Sequence, residues 1–156
     1  MHFDPHLLET YRTLLQTTDL QRAYQELIRL FRFLRNKLER QMPDFRFQGS
    51  ITENAMDYAY FSFTNPGLKE KGLKLVVAFV HHNFQLEVWL SGINRKAQCR
   101  WAEHWSICPP AIELTQDPHH TDFVVRLPVE TRLWDGDKTA ALVKEAAEQL
   151  LELTKK

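Results

Sequence analysis

Asp57 and Glu87 are the carboxylates whose setting in the chain suggests chemistry. Glu87 interrupts an apolar run between Leu86 and Val88, Trp89 follows two residues later, and Asn94 and Arg95 come next. Strand positions disfavour glutamate, so a covered Glu87 needs a partner, which Arg95 or a phenol of Tyr58 or Tyr60 could supply. This points to a candidate site of Asp57, Tyr60, Glu87, Trp89, Asn94 and Arg95, and three uses of it stay open. It could be a shallow aromatic-walled pocket for a small polar ligand or a protein partner. Asp57 and Glu87 could hold a divalent ion or share acid–base chemistry in a hydrolase or nuclease-like enzyme. Glu87 and Arg95 could simply form an internal ion pair. Nucleases with carboxylates on adjacent strands expect a lysine two positions after the second carboxylate, and here that position is Trp89.

Other reactive residue types argue for less. The histidines number seven, but His81-His82 and His119-His120 are neighbours, which on an extended chain point to opposite faces and cannot chelate one ion as a pair. Cys99, His104 and Cys108 are the right ligand types for zinc, yet Cys99 and His104 are offset by roughly 140° on a helix. No metal site or cofactor is expected. Gly-rich phosphate loops, HExxH, CxxC and GxSxG are all missing from the chain, which removes the commonest nucleotide, zinc, redox and acyl-transfer signatures. A helix carrying Arg22, Arg29, Arg32, Arg35, Lys37 and Arg40 reads as a solvated face and lacks the interleaved exposed aromatics of a single-strand nucleic-acid surface. Trp101 and Trp105 are four apart, so they share a helix face.

The elements that must position these residues follow from periodicity. Asp4-Pro5 starts a helix in which Leu7, Leu8, Tyr11, Leu14 and Leu15 recur at helical spacing. Thr18 and Gln21 occupy capping-box positions for a second helix, with an apolar stripe from Leu20 to Leu38 that ends at Met42-Pro43. An N-terminal helical hairpin is expected. The period then changes to that of strands over 45–51, 58–64, 73–81 and 84–91, with a connecting loop over 65–72 and a hairpin turn at His82-Asn83. The third strand is apolar on both faces and belongs in the centre. A short helix follows Gly92-Ile93-Asn94 and stops at Cys108-Pro109-Pro110. After a loop, a fifth strand covers 121–129, and Asp135-Gly136-Asp137 caps a last helix. The expected fold is α+β, an antiparallel sheet of four to five strands with helices mainly on one face, in a single domain over 1–156.

Composition narrows the class. The chain has 156 residues with 20 basic and 20 acidic side chains, so its net charge is zero, and 44% are hydrophobic. A chain of that size buries roughly two-thirds of its unfolded surface without staples. Zero net charge argues against a nucleic-acid or membrane-surface role. No apolar run reaches membrane-spanning length and no leader pattern opens the chain, so a cytoplasmic location and reduced Cys99 and Cys108 are expected. A monomer or homodimer is expected, with a small polar ligand or a protein as partner.

The block from Met56-Asp57 through Tyr60-Phe61, then Leu73-Lys74-Leu75 and the run Phe84 to Arg95, resembles an uncharacterised bacterial family of small single-domain proteins known only as a domain of unknown function. Its most distinctive segment is FEVWLAGxNR-like, with Ser91 here in place of the alanine. The resemblance implies a bacterial cytoplasmic protein and carries no activity or cofactor with it.

Overall fold

The computed structural model describes residues 1–155. Two helices open the chain, α1 (Pro5–Thr17) and α2 (Leu20–Gln41). Then come β1 (Arg46–Phe47), a 3-10 turn (Asn54–Met56), β2 (Tyr58–Thr64), α3 (Pro66–Glu70), β3 (Leu73–Val80) and β4 (Gln85–Gly92). The chain ends with α4 (Arg95–His104), β5 (Glu113–Leu114), β6 (Val125–Val129) and α5 (Gly136–Leu153). The strands form one antiparallel sheet of order β1-β2-β3-β4-β6-β5, with β3 inside it as its two-sided apolar pattern requires and β4 beside it. The architecture is the expected α+β sheet with N-terminal helices, enlarged to six strands by the two-residue edge strands.

Strand alternation sorts the side chains into two layers. Leu75, Val77 and Phe79 of β3 and Leu86, Val88 and Leu90 of β4 join the main buried cluster, closed by Phe31, Leu34 and Leu38 of α2 and Val143, Ala147 and Leu150 of α5. The opposite face carries a smaller cluster, Val76, Ala78 and Trp89, with Tyr58, Tyr60, Val80 and Phe123 packed against it. Trp101 and Trp105 stack at 4.7 Å between ring centroids on the main-core side, where Trp105 is buried.

Helix starts are set by short polar side chains. Asp4 accepts from the backbone N–H of His6 at 2.9 Å and of Leu7 at 3.2 Å, Asn65 from Leu68 at 2.8 Å, Asn94 from Ala97 at 2.8 Å, and Asp135 from Lys138 at 3.2 Å. Each such cap stabilises its helix by about 1 kcal/mol. The arginine face of α2 is solvated, with Arg22 and Arg29 exposed and paired to Asp19 and Glu26. Arg35 differs, because it donates to the Gln48 carbonyl at 2.8 Å and so ties α2 to the end of β1.

Several expectations are corrected. The Thr18/Gln21 capping box does not form: Asp19 is the N-cap of α2, and the Thr18 hydroxyl donates back to the Leu14 carbonyl while accepting from Leu20 N–H. The strand expected over 45–51 stops at Phe47 because the register toward β2 slips by two residues between Phe47↔Phe63 and Thr52↔Tyr60. The Gln48 side chain bridges that slip, donating to Ser50 O and Thr52 Oγ1 and accepting from Ser62 N–H. The loop expected over 65–72 holds α3, started by the Asn65 cap. The β3–β4 connection is a four-residue turn, His81 to Phe84, not two. Phe84 adopts φ 48° there, a strained left-handed conformation, and its ring packs edge-on to Phe79 at 5.1 Å. Finally, α4 leaves helical geometry at Trp105, ahead of the prolines.

His81 sits in that turn with its ring 5.4 Å from Phe79 and 5.8 Å from Tyr24 of α2. Its Nε2 is buried and lacks a hydrogen-bond partner among the described residues. Burial pushes its pKa below the ordinary value, while the charge of Asp57 pulls the other way. The unfolded chain therefore takes up a proton as pH falls through about 6.5, while folded His81 does not until a lower pH. Stability is lost across that window. Melting curves between neutral and mildly acidic pH should fall more steeply for wild type than for His81→Phe, and parallel curves would show that His81 is not a penalised group.

Candidate functional site

A cavity of about 270 Å³ lies on the outer face of the sheet. Register places Lys74 opposite Ser91 and Val76 opposite Trp89, and these form its floor. Tyr58 and Tyr60 of β2 make one wall, at 5.6 Å from each other, with Tyr58 5.3 Å from Trp89. Asn94, Arg95 and Gln98 at the start of α4 and Thr121 and Asp122 of the following loop make the rim.

The rim is held by one network. Gly92 ends β4, and a Cβ there would come within 2.4 Å of the Gln98 backbone nitrogen and 2.7 Å of its Cα. Only glycine allows α4 to fold back so closely. From that position Gln98 is buried, accepts from Gly92 N–H at 2.9 Å and donates at 2.8 Å to the carbonyls of both Thr121 and Phe123. Arg95 donates to Pro118 O at 3.1 Å, to Thr121 O, and pairs with Asp122 at 3.4 Å. Ser91 donates to Asp122 O at 2.6 Å. The Tyr58 hydroxyl donates to the Asp122 carboxylate at 2.7 Å. Burial first, then that hydrogen bond and nearby negative charge, push the Tyr58 phenol well above its usual pKa, so it stays a donor at physiological pH.

The structure therefore brings Tyr60, Trp89, Asn94 and Arg95 to one cavity. Neither Asp57 nor Glu87 lines it. Asp57 is exposed beyond the end of β2. Glu87 aligns through Ala78 with Tyr60, so Asp57 stands three rows further along and two strands across, about 14 Å away by standard strand spacings. That separation is too great for one ion, and among the described residues no group of three or more His, Cys, Asp or Glu could hold a metal. Cys99 lies 3.6 Å from His119 Nδ1, while Cys108 turns to the Trp105 carbonyl, and both cysteines are free.

Of the partners left open for Glu87, neither Arg95 nor a tyrosine hydroxyl is the one it meets. Glu87 is fully buried, accepts from the Trp89 indole N–H at 2.8 Å, and faces Arg126 at 3.8 Å. Arg126 bonds Glu113 of β5 at 2.8 Å and lies over the Phe123 ring at 5.0 Å. The hydrogen bond that Arg126 donates to Glu113 raises its pKa first, burial opposes it, and the charges of Glu87 and Glu113 add to the rise. Arg126 alternates with Val125 and Leu127 in β6, and that alternation is the signal that would have put it on the Glu87 face. Lys74, Tyr58, Ser91, Gln98, Thr121 and Asp122 were likewise outside the expected set. Lys74 shares strand parity with Val76, which marks its face, whereas the loop residues have no local pattern to betray them.

A family model described as a domain of unknown function (DUF7000) matches residues 5–156. The chain belongs to that family. In this member of DUF7000, the segment Trp89 to Arg95 acquires a physical reason at nearly each position: an indole that bonds Glu87, a glycine that admits α4, an asparagine that caps it and an arginine that clamps the loop. No curated protein and no solved structure matches the chain. No helix among the described residues is long and apolar enough to cross a membrane.

Removing Arg126 leaves the buried Glu87 carboxylate without its counter-charge, which costs about 3 to 5 kcal/mol, whereas removing Glu87 leaves Arg126 still paired to Glu113. Denaturant unfolding should show Arg126→Met destabilised on that scale and Glu87→Met destabilised by less. The double variant Glu87→Met/Arg126→Met should recover much of the loss. Strictly additive losses would mean the pair does not interact.

Proposed function

We propose that this protein is a binding module whose outer-face cavity takes a small organic anion, a carboxylate or phosphate carried on a flat or apolar body. The observation that carries the reading is Lys74. It is half-buried at the cavity floor and has no hydrogen bond or ion pair among the described residues. Arg95 is answered by Asp122, so of the three charged groups lining the cavity Lys74 supplies an unbalanced positive charge.

An ammonium without a counter-ion in a partly dry site favours a negatively charged ligand. The rings of Tyr58, Tyr60 and Trp89 offer apolar surface for the ligand's body, and the Tyr60 hydroxyl has no protein partner among the described residues. A concave site with few placed polar groups and aromatic walls is the usual form of a small-molecule pocket. The Ser91 hydroxyl is engaged with a carbonyl and no histidine lines the cavity, so the side chains here bind and orient rather than form a nucleophile–base pair.

A thermal-shift panel of small carboxylates, phosphates, neutral sugars and amines tests this. A ligand at 100 times its dissociation constant stabilises by about 2.7 kcal/mol, roughly 5 to 10 °C for a chain of this size. At least one anion should give a shift on that scale, and Lys74→Met should keep its fold and lose the shift. A panel in which only neutral or cationic compounds act, or a shift retained in Lys74→Met, would overturn the proposal.

A further inference from the structure

The opening helix is well formed and buries none of its residues. Leu7, Leu8, Tyr11 and Leu14 are 63, 59, 55 and 42% exposed. An isolated helix shorter than about 12 to 15 residues is marginal in water, and in proteins such helices persist by packing an apolar face. In α1 most of that face lacks a cover among the described residues, and only Leu15 at its C-terminal end is half-buried, beside α2.

Its sequence says what fits. Leu7, Leu8, Tyr11, Leu14 and Leu15 are arranged symmetrically about Tyr11, three and four residues to either side. At about 100° per residue they occupy an arc of about 120° centred on Tyr11. Reversing the helix about an axis through Tyr11 carries Leu7 onto Leu15 and Leu8 onto Leu14. A second α1 laid antiparallel on the first therefore meets leucine with leucine, and the two Tyr11 rings meet on the axis. Glu9 and Arg12 lie outside the arc and pair with each other on their own helix, so no charge is forced into the contact.

The helix ends agree. Beyond its Asp4 cap, α1 has no acidic residue in its first turn and no basic residue in its last. An antiparallel neighbour sets each negative C-terminal end beside a positive N-terminal end. We propose that α1 is a dimerisation element: two copies of the chain pair through antiparallel α1 helices with Tyr11 on the two-fold axis. The contact is isologous and closes at two. A cavity of about 670 Å³ between α1, α2 and the Asn54–Met56 turn, walled by Leu15, Tyr24, Ile28 and Met56, extends the apolar surface beside it. A helix face about 20 Å long makes a contact smaller than standard stable interfaces, so the dimer is weak and depends on concentration.

Sedimentation across the micromolar range should move the mass from 18.5 kDa toward twice that value. Tyr11→Glu should abolish the shift with an unchanged melting point for the rest of the fold. In a Cys99→Ser/Cys108→Ser background, Tyr11→Cys should oxidise to a covalent dimer. Leu7→Cys alone should not, while Leu7→Cys/Leu15→Cys should. A mass fixed at 18.5 kDa at every concentration would overturn the proposal. So would equal cross-linking of Leu7→Cys and Tyr11→Cys, which means a parallel pair, or a monomer whose α1 instead adsorbs to lipid vesicles.

Discussion

Gly92 has no side chain, and the exit of β4 is built on that absence. With a Cβ 2.4 Å from the Gln98 nitrogen, α4 could not lie where it does. Overpacking of this kind usually costs about 1 to 3 kcal/mol, and here the obstacle is backbone, which cannot rotate away. Gln98 would then lose its hold on the Thr121 and Phe123 carbonyls, and with it the loop that forms half of the cavity rim. The site depends on the end of β4 and the first turn of α4 being closer than any side chain permits.

The two faces of the sheet are stabilised by different physics. The inner face is ordinary apolar burial under α2 and α5, where each large side chain contributes about 1.5 to 3 kcal/mol. The outer face has a smaller apolar cluster and is closed by hydrogen bonds from Ser91, Arg95, Gln98 and Tyr58 to a loop with little apolar content of its own. Glu87 belongs to this second layer. Its carboxylate is fully buried with one oxygen unpartnered among the described residues, a costly arrangement that the Trp89 indole and Arg126 offset. Glu87 thus fixes the rotamer of Trp89 from behind, and Trp89 is what the cavity sees.

Where the chain was legible, a repeating pattern was responsible. The 3.6-residue stripe of α2 and the two-residue alternation of β4 each depend on one buried face, and both elements lie within a residue or two of the expected bounds. The centrality of β3 followed from Leu75, Val77 and Phe79 opposing Val76, Ala78 and Val80. What failed lacked a period. The β1 slip is bridged by the Gln48 side chain, and β5 is a two-residue strand whose Glu113 faces Arg126 across the pairing. At the site, the aromatic wall and Asn94–Arg95 were visible as unusual residues in a strand and at its exit. Their partners in 118–123 were not, since contacts over more than twenty residues of sequence leave no local trace. The Glu87 partner was misassigned because Arg95 is near in sequence, while Arg126 is near only once β4 and β6 pair.

Charge explains why the cavity's unanswered charge, among the described residues, is a lysine. An arginine on that floor would present a fork of donors able to reach several carbonyls at once, as Arg95 does on the rim. Lys74 is a compact ammonium, and its cross-strand neighbours offer it little. Ser91 is bonded to Asp122 O, and Thr64 to the Leu73 carbonyl. Both hydroxyls spend their protons on carbonyls, and the ammonium, bonded to nothing among the described residues, keeps its hydrogen-bonding capacity while half removed from water. Because the rim and walls are pinned by bonds that do not involve Lys74, a bound anion would find a rigid site and would not have to order it. That lowers the entropic cost of binding and keeps recognition in a single group whose removal leaves the surrounding network intact.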